Sequence, residues 1–280
     1  MIFAGSNEYC GYSLMIQITR IGGDPETEIK VARFQGATFP PHFHDTYSIG
    51  LITQGLEDIL HEGVEKTVCK GKIVLFNAGE VHANRCHDEE PWSYRTLNVN
   101  EDRIIHIANK YGITLNGKPT FDAVIDDGLL VEHMESLGAV KTADAMETME
   151  RIIIQLLLHH RRRQEKIPGG YAALFGIVEE IKEIIAGDLF DSPDLKTLAG
   201  KFNRSAFQIH RAFKSHTGLT PVEYRTLLRL NRAKKLIRQG CVLTEVGMDC
   251  GFYDQSHFIH TFRRFLGVTP RMYRDSISNC

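Results

Sequence analysis

The first third of the chain alternates apolar and polar residues with a period near two, and turn residues interrupt it about every ten positions. Such alternation is typical of β-strands that bury one face. Seven runs between about Met15 and Val99 follow it: LMIQITRI, TEIKVARF, YSIGLIT, EDILHEG, EKTVC, KIVLFNAGE and YRTLNVN. Short strands at this spacing predict an antiparallel barrel or sandwich.

From Glu101 the apolar period lengthens to that of a helix. RIIHIANKYG and DDGLLVEHMESLG predict short amphipathic helices. A longer helix follows in TADAMETMERIIIQLLLHHRRR, where five positions step by three and four: Met146, Met149, Ile153, Leu156 and His160. This is the spacing of helices that pair with one another, so residues 141–163 predict a homodimer interface.

Charge, proline and paired glycines break the helical pattern in RRRQEKIPGG, and helical patterns alone follow. A chain of 280 residues is longer than one typical core requires. We therefore predict an α+β multidomain protein with a barrel over 1–100, a helical dimerisation segment over 101–163, a linker over 164–172 and an all-α domain over 173–280.

The all-α domain contains two copies of one pattern. An apolar stripe ends at Phe202, and Ser205 is a suitable N-cap for the next helix, with only two residues between them. About fifty residues later a second stripe ends at Cys250, and Asp254 caps the helix that follows. Helices joined so tightly predict helix-turn-helix motifs, whose second helix enters the major groove of DNA.

Charge is divided unevenly along the chain. The net charge is -2, but residues 193–280 carry 15 Lys/Arg and 6 Asp/Glu, which is +9, so the preceding residues carry -11. A basic domain on a nearly neutral chain indicates a polyanionic partner for that domain, and double-stranded DNA fits the two motifs.

The amino-acid sequence of this basic domain is similar to the sequences of a known family. SAFQIHRAFKSHTGLTPVEY, LNRAKKLI and EVGMDCGFYDQSHFIHTFRRFLGVTPRMYR resemble the DNA-binding domain of the AraC/XylS family of transcription regulators, from about Leu195 to Arg274. Two departures are minor: Gly247 stands where alanine is usual, and Asn203 where glycine is common. The resemblance implies two recognition helices that enter adjacent segments of the major groove.

The resemblance also implies which side chains read bases: Phe207, His210, Arg211, Gln255, Ser256, Ile259 and His260. Their chemistry is suitable, since Arg211 can bind guanine, Gln255 can bind adenine, and Phe207 or Ile259 can contact a thymine methyl group. We assign three cations to phosphate contacts, which position the protein without reading sequence: Lys214, Arg263 and Arg264.

Histidines mark a possible site in the barrel. His42 and His44 lie two residues apart, so on a strand both face the same side, and His82 follows the turn NAGE. These segments resemble the two motifs of a cupin barrel, as in AraC-type sensor domains, with the motif glycines Gly36, Gly55, Gly71 and Gly79. Ser48 replaces the glutamate of metal-binding cupins, and Asn77 replaces a proline.

Two interpretations of the histidines stay open. The three could hold Zn²⁺ with a free fourth position, and Cys86 could be a further donor. Alternatively, they hydrogen-bond a small effector or one another in a metal-free pocket, and Cys86 is a buried structural thiol.

We expect a sequence-specific transcription regulator that senses a small effector, binds promoter DNA as a homodimer and has RNA polymerase as a possible further partner. A competing class is a metal-dependent cupin enzyme tethered to DNA, but Ser48, Glu80 and Asp45 give it no convincing acid or base, so we expect no enzyme. An architectural DNA binder leaves the first 190 residues unexplained.

We expect the protein to act in the cytoplasm. No apolar stretch approaches the roughly 18 residues that a membrane span requires. The start MIFAGSNEYC does not have the pattern of a signal peptide, and the six cysteines form no Cys-x-x-Cys pair.

Overall fold

The computed structural model describes residues 12–21, 27–137, 142–162, 172–190 and 193–278, so the predicted linker lies almost wholly outside the described residues. The strands are β1 Tyr12–Arg20, β2 Glu28–Gln35, β3 Thr38–His42, β4 Tyr47–Gln54, β5 Leu56–His61, β6 Val64–Cys69, β7 Ile73–Phe76, β8 His82–Cys86, β9 Trp92–Val99 and β10 Val124–Ile125. The helices are α1 Glu101–Lys110, α2 Gly128–Ser136, α3 Thr142–His159, α4 Ala172–Gly187, α5 Leu195–Lys201, α6 Ala206–Thr217, α7 Pro221–Arg238, α8 Leu243–Asp249, α9 Gln255–Leu266 and α10 Pro270–Ser278.

The strands form two antiparallel sheets, ordered β1-β2-β9-β4-β7-β10 and β3-β8-β5-β6. Between the sheets lies a core to which both contribute, with Phe34 and Trp92 from one and Phe39 and Ile59 from the other. The opposite face of the larger sheet packs against α1, α2 and α3. The predicted antiparallel barrel with following helices is confirmed, and all seven predicted strands are present.

Helix α3 buries the side that was predicted to pair two subunits. Met149, Ile153 and Leu156 belong to the core shared with the larger sheet, and His160 Nε2 lies 2.7 Å from Asp127 Oδ2. A three-and-four spacing requires a buried face, but it does not distinguish the chain's own sheet from a partner helix. The homodimer stays a prediction, but this face of α3 is already covered.

The C-terminal helices confirm both helix-turn-helix motifs. Ser205 Oγ accepts from the Gln208 amide at 3.2 Å, and the Gln208 side chain accepts from the Ser205 amide at 2.9 Å, which completes a capping box. Asp254 Oδ1 accepts from the His257 amide at 2.7 Å at the start of α9. Both predicted N-caps therefore begin their helices.

Contacts between Cα atoms divide the described residues into two compact units. One contains the residues up to Arg162 and those from Phe262 onward, and the other contains 172–261 without the gap at 191–192. Within the first unit α10 packs against β1, and the Tyr273 hydroxyl donates to the Glu28 carboxylate at 3.3 Å. In the described part of the chain, no helix combines the length and apolarity needed to span a bilayer.

Candidate DNA-binding helices and effector site

Helix α6 has one buried and one exposed face. Ile209 and Phe213 are fully buried in the core between α4, α5 and α6. On the opposite face Phe207 is 71% exposed, and Arg211 and Lys214 are also exposed. An exposed aromatic ring beside two exposed cations gives this face the residue types that contact bases and phosphates.

Helix α9 repeats this arrangement with one exception. Its predicted base readers Ser256, Ile259 and His260 are exposed, as are Arg263 and Arg264. Gln255 differs, because its Nε2 donates to the Leu243 carbonyl at 3.2 Å and its Oε1 is buried without a hydrogen-bond partner. In this conformation Gln255 Nε2 is bonded to α8, so reading adenine requires the side chain to turn outward.

The two turns share one backbone conformation. Asn203, the second residue after α5, has φ of 50°, and Gly251, the second residue after α8, has φ of 81°. Asparagine is among the few residues besides glycine that tolerate this left-handed region, so Asn203 can stand where glycine is common. At Gly251 a Cβ would also lie only 3.0 Å from the Arg229 guanidinium.

In the barrel the three predicted histidines lie together. Ring centroids are 4.3 Å apart for His42 and His82, 4.9 Å for His42 and His44, and 5.2 Å for His44 and His82. One potential ligand atom from each lies within 4.8 Å of the other two. The prediction that His42 and His44 face the same side because both lie on one strand was partly wrong. β3 ends at His42, and His44 lies in the loop that follows.

Backbone carbonyls orient two of these rings. His42 Nδ1 lies 2.8 Å from the Pro40 carbonyl, and His82 Nδ1 lies 3.1 Å from the Glu80 carbonyl. Since a carbonyl only accepts hydrogen bonds, each Nδ1 carries a proton, and in the neutral form of either ring the lone pair lies on Nε2. Burial, with the nearby His42, lowers the pKa of His82 well below its usual value, so His82 is neutral, as a metal ligand must be.

A second group that could hold a metal ion, His61, Glu62 and Glu80, adjoins the first. Its Glu80 Oε2 accepts from His61 Nε2 at 3.0 Å and from Asn77 Nδ2 at 2.8 Å. Burial opposes ionisation, but these hydrogen bonds outweigh it and hold the pKa of Glu80 below its usual range. Glu80 is therefore an ionised carboxylate.

Cys86 belongs to neither group of potential ligands among the described residues. It lies in the core between the sheets, and burial raises the pKa of its thiol. A thiol that is harder to ionise is a poorer metal ligand, so the structure favours the structural role.

Two ionisable groups inside the barrel were not predicted from the sequence. Lys30 on β2 places its Nζ 5.4 Å from the Tyr94 ring centroid and 5.8 Å from that of Phe34. Glu57 on β5 is buried, and burial raises its pKa to about 8. Alternation along β2 could have found Lys30, because it shares a strand face with the buried Ala32 and Phe34.

The family described as AraC-like ligand binding domain matches residues 25–166, about half of the chain. The chain is a member of the AraC family of transcription regulators. A helix-turn-helix domain family matches residues 198–276, which contain α6 and α9. AraC-family regulators combine a ligand-binding and a DNA-binding domain, as this chain does.

Similar proteins agree with this membership. The chain is 29% identical to the HTH-type transcriptional regulator YbfI of Bacillus subtilis, over 84% of this chain and 87% of YbfI. It is 26% identical to the transcriptional activator RhaS of Escherichia fergusonii, over 89% and 94%. A crystal structure of an apo ToxT variant from Vibrio cholerae has the same fold, with a TM-score of 0.59 and 13% identity over 92% of this chain and all of ToxT.

Proposed function

We propose that this AraC-family regulator reads promoter DNA with the exposed faces of α6 and α9. The exposure of Phe207 on a capped and otherwise well-packed helix is the observation that carries this proposal. Base reading is assigned to Phe207, His210, Arg211, Ser256, Ile259 and His260, and phosphate contacts to Lys214, Arg263 and Arg264. Gln255 reads bases only if its bond to Leu243 breaks.

We also propose that His42, His44 and His82 bind Zn²⁺. Orientation of two rings by carbonyl acceptors supports this, because metal-bound histidines commonly donate their other nitrogen in this way. Zinc held by three histidines keeps a fourth position for a ligand atom. Bound there, the ion supplies a Lewis acid that an oxygen or nitrogen of the effector can coordinate.

Sensing rather than turnover fits Glu80, the carboxylate that adjoins this cluster. A general acid or base works best with a pKa near the working pH, whereas the pKa of Glu80 is held below its usual range. Effector binding then changes DNA binding by shifting the population of conformations, through α3 or the segment RRRQEKIPGG. RNA polymerase is a further proposed partner at the promoter.

Because one side of α3 is already buried in the chain's own core, a homodimer through residues 141–163 requires the opposite, outer side of this helix. Leu158 is 59% exposed, Ile154 is half-buried, and the polar Glu147 and Arg151 lie along the same side. Ile154 packs partly against the chain's own core, so the exposed Leu158 is the apolar residue that supports an interface between two copies of this helix.

The test of DNA reading begins with duplexes that the wild-type protein selects from random sequence. We expect Arg211→Ala to reduce the preference for selected over random DNA by about 5-fold to 150-fold, since one bidentate base contact gives about 1–3 kcal/mol of discrimination. Arg271→Ala removes another exposed cation, from α10, and should leave the preference unchanged. Unaltered discrimination by Arg211→Ala would refute its role as a base reader.

The test of the metal site is a titration of metal-free protein with Zn²⁺ against a chromogenic chelator. We expect one ion per chain, and at least roughly tenfold weaker binding in His44→Asn. His44 is less buried than His42 or His82, so this change disturbs the fold least. His106→Asn, on α1, is the control. Equal binding by the wild type and His44→Asn would favour the metal-free pocket.

A further inference from the structure

His61, Glu62 and Glu80 form a second cluster of potential metal ligands, to which the proposed function assigns no ion. One nitrogen or oxygen atom from each lies within 4.8 Å of the other two. The side chain of His61 is only 6% exposed, whereas those of Glu80 and Glu62 are 26% and 60% exposed. A buried imidazole thus adjoins two carboxylates that solvent reaches, so an ion can enter the cluster from outside the barrel.

Strand pairing places His61 beside the first histidine cluster. His61 on β5 lies opposite His82 on β8, and His82 lies opposite His42 on β3. Directly opposed residues of antiparallel strands share a face of the sheet, so three imidazoles stand in one row. Glu80 contacts this row twice, since its carbonyl lies 3.1 Å from His82 Nδ1 and its Oε2 lies 3.0 Å from His61 Nε2. The second cluster therefore extends the first along the sheet.

Glu62 has a backbone conformation that glutamate rarely adopts. It is the first of two residues that join β5 to β6, with φ of 51°, and Gly63 follows with φ of 75°. Hairpin turns with two positive φ angles favour asparagine, aspartate or glycine. The turn nevertheless holds a glutamate, whose longer carboxylate reaches His61. Backbone strain kept at such a position indicates a role for the side chain.

A cation already binds the carboxylate of Glu62. Arg162 Nη1 lies 3.0 Å from Glu62 Oε1, and Arg162 Nε lies 2.8 Å from Asp122 Oδ1. Arg162 stands two residues before the predicted linker over 164–172. A metal ion that takes Glu62 therefore competes with a side chain close to the linker.

We propose that a divalent transition-metal ion binds to His61, Glu62 and Glu80 and displaces the guanidinium of Arg162. An imidazole suits such ions, and two carboxylates balance their charge. The ion takes the place of the proton that His61 Nε2 donates to Glu80, and the neutral ring carries its proton on Nδ1 instead. Because Arg162 must leave Glu62, we expect this site to bind more weakly than the three-histidine zinc site and to fill after it.

The binding test uses Mn²⁺, because the electron paramagnetic resonance signal of the free ion is lost on binding. Every protein is the metal-free full chain with His44→Asn, which weakens the first site. We expect one Mn²⁺ per chain, and at least roughly tenfold weaker binding when Glu62→Gln is added. Glu65→Gln removes an exposed carboxylate from β6 and should leave binding unchanged. Absence of Mn²⁺ binding, or equal binding with Glu62→Gln, overturns the proposal.

The competition with Arg162 has a test of its own. Arg162→Gln frees Glu62 and should tighten Mn²⁺ binding by roughly two- to fivefold, which is the strength of an exposed ion pair. Arg161→Gln removes the same charge one residue away, where the guanidinium donates to the Thr114 carbonyl at 2.9 Å, and should tighten binding less. An equal gain in the two variants would come from net charge alone and would overturn the competition.

Two comparisons separate this inference from lost folding and from the proposed function. Glu62→Gln should leave the thermal midpoint unchanged, because the residue is exposed. Mn²⁺ binding that Glu62→Gln weakens supports the second site even if Zn²⁺ binding does not depend on His44. Zn²⁺ binding that depends on His44, without any Mn²⁺ binding, removes the second site and leaves the proposed zinc site.

Discussion

At the scale of single residues, the interior of the barrel is unusual for the ionisable groups it contains. Lys30, Glu57 and His82 all lie in positions where burial opposes their charged forms. Folding alone gives no reason to keep such groups, because apolar residues of similar size would pack at lower cost. Perturbed groups that face one interior are characteristic of sites that recognise a ligand.

Glu57 makes stability depend on pH. Its pKa is near 8 in the folded protein, above the unfolded value of 4.5, so the folded state keeps a proton that the unfolded state releases. Stability from this group is present below pH 4.5 and is lost as pH rises towards 8. At pH 7 this group lowers the free energy of unfolding by about 3 kcal/mol.

Glu57→Gln should remove this dependence. The amide oxygen of glutamine can still accept from Asn84, which now donates to Glu57 Oε1 at 2.8 Å. Urea unfolding at pH 5 and pH 8 should show a smaller loss of stability in Glu57→Gln than in the wild type, by about 3 kcal/mol. Glu65→Gln, at an exposed position, should behave like the wild type. Equal pH dependence in the wild type and Glu57→Gln would contradict the raised pKa.

At the scale of elements, the sequence predicted the helices better than the site. Capping side chains and apolar stripes act within a few residues, so α6 and α9 could be located from Ser205 and Asp254 alone. β3 and β8 were harder, because prolines and histidines replace the apolar alternation there. The position of His44 depends on a loop, and the approach of Lys30 to Tyr94 depends on β9, a strand distant in sequence. Neither leaves a local signal.

Contact with α9 explains why position 247 on α8 is a glycine. A Cβ there would lie 3.0 Å from Phe258 Cβ and 3.1 Å from two of its ring carbons. The alanine usual in the family would therefore require Phe258 to move. This contact gives a structural reason for the departure from the family pattern.

Gly247→Ala should destabilise the protein by about 1–2 kcal/mol, because the cost of overpacking exceeds the helix propensity that alanine adds. Gly200→Ala is the matched control, since Gly200 lies in α5 of the first motif and a Cβ there would meet no atom within 4 Å. It should stabilise the protein by up to about 1 kcal/mol. Urea unfolding measures both, and a gain in Gly247→Ala would show that Phe258 adjusts freely.

At the scale of the whole molecule, charge and oligomeric state are the properties to test. The +9 of residues 193–280 should make DNA binding strongly dependent on salt, because each phosphate contact releases counterions. Removing one such contact with Lys214→Ala should lower the slope of log K against log salt by about 1. Arg271→Ala should leave the slope unchanged. An unchanged slope in Lys214→Ala would remove that residue from the phosphate contacts.

The dimer has a separate test on the outer side of α3. Leu158→Glu should shift the protein from dimer to monomer in analytical ultracentrifugation, because a carboxylate would be desolvated in the interface. Its thermal midpoint should change little, since Leu158 is exposed within one chain. Leu129→Glu, at an exposed position on α2, controls for added charge. A wild type that is monomeric at micromolar concentration would contradict the dimer.

Helix α7 has a consequence for the operator itself. Its 18 residues make a rod of about 27 Å between the two motifs, capped at Thr220 by a second capping box. Such a rod does not stretch. The two DNA segments read by α6 and α9 must therefore keep a fixed separation and a fixed rotation about the axis of the duplex. One base pair inserted between them would rotate the second segment by about 35°. The operator should therefore tolerate substitutions within a segment better than any change in the length between segments.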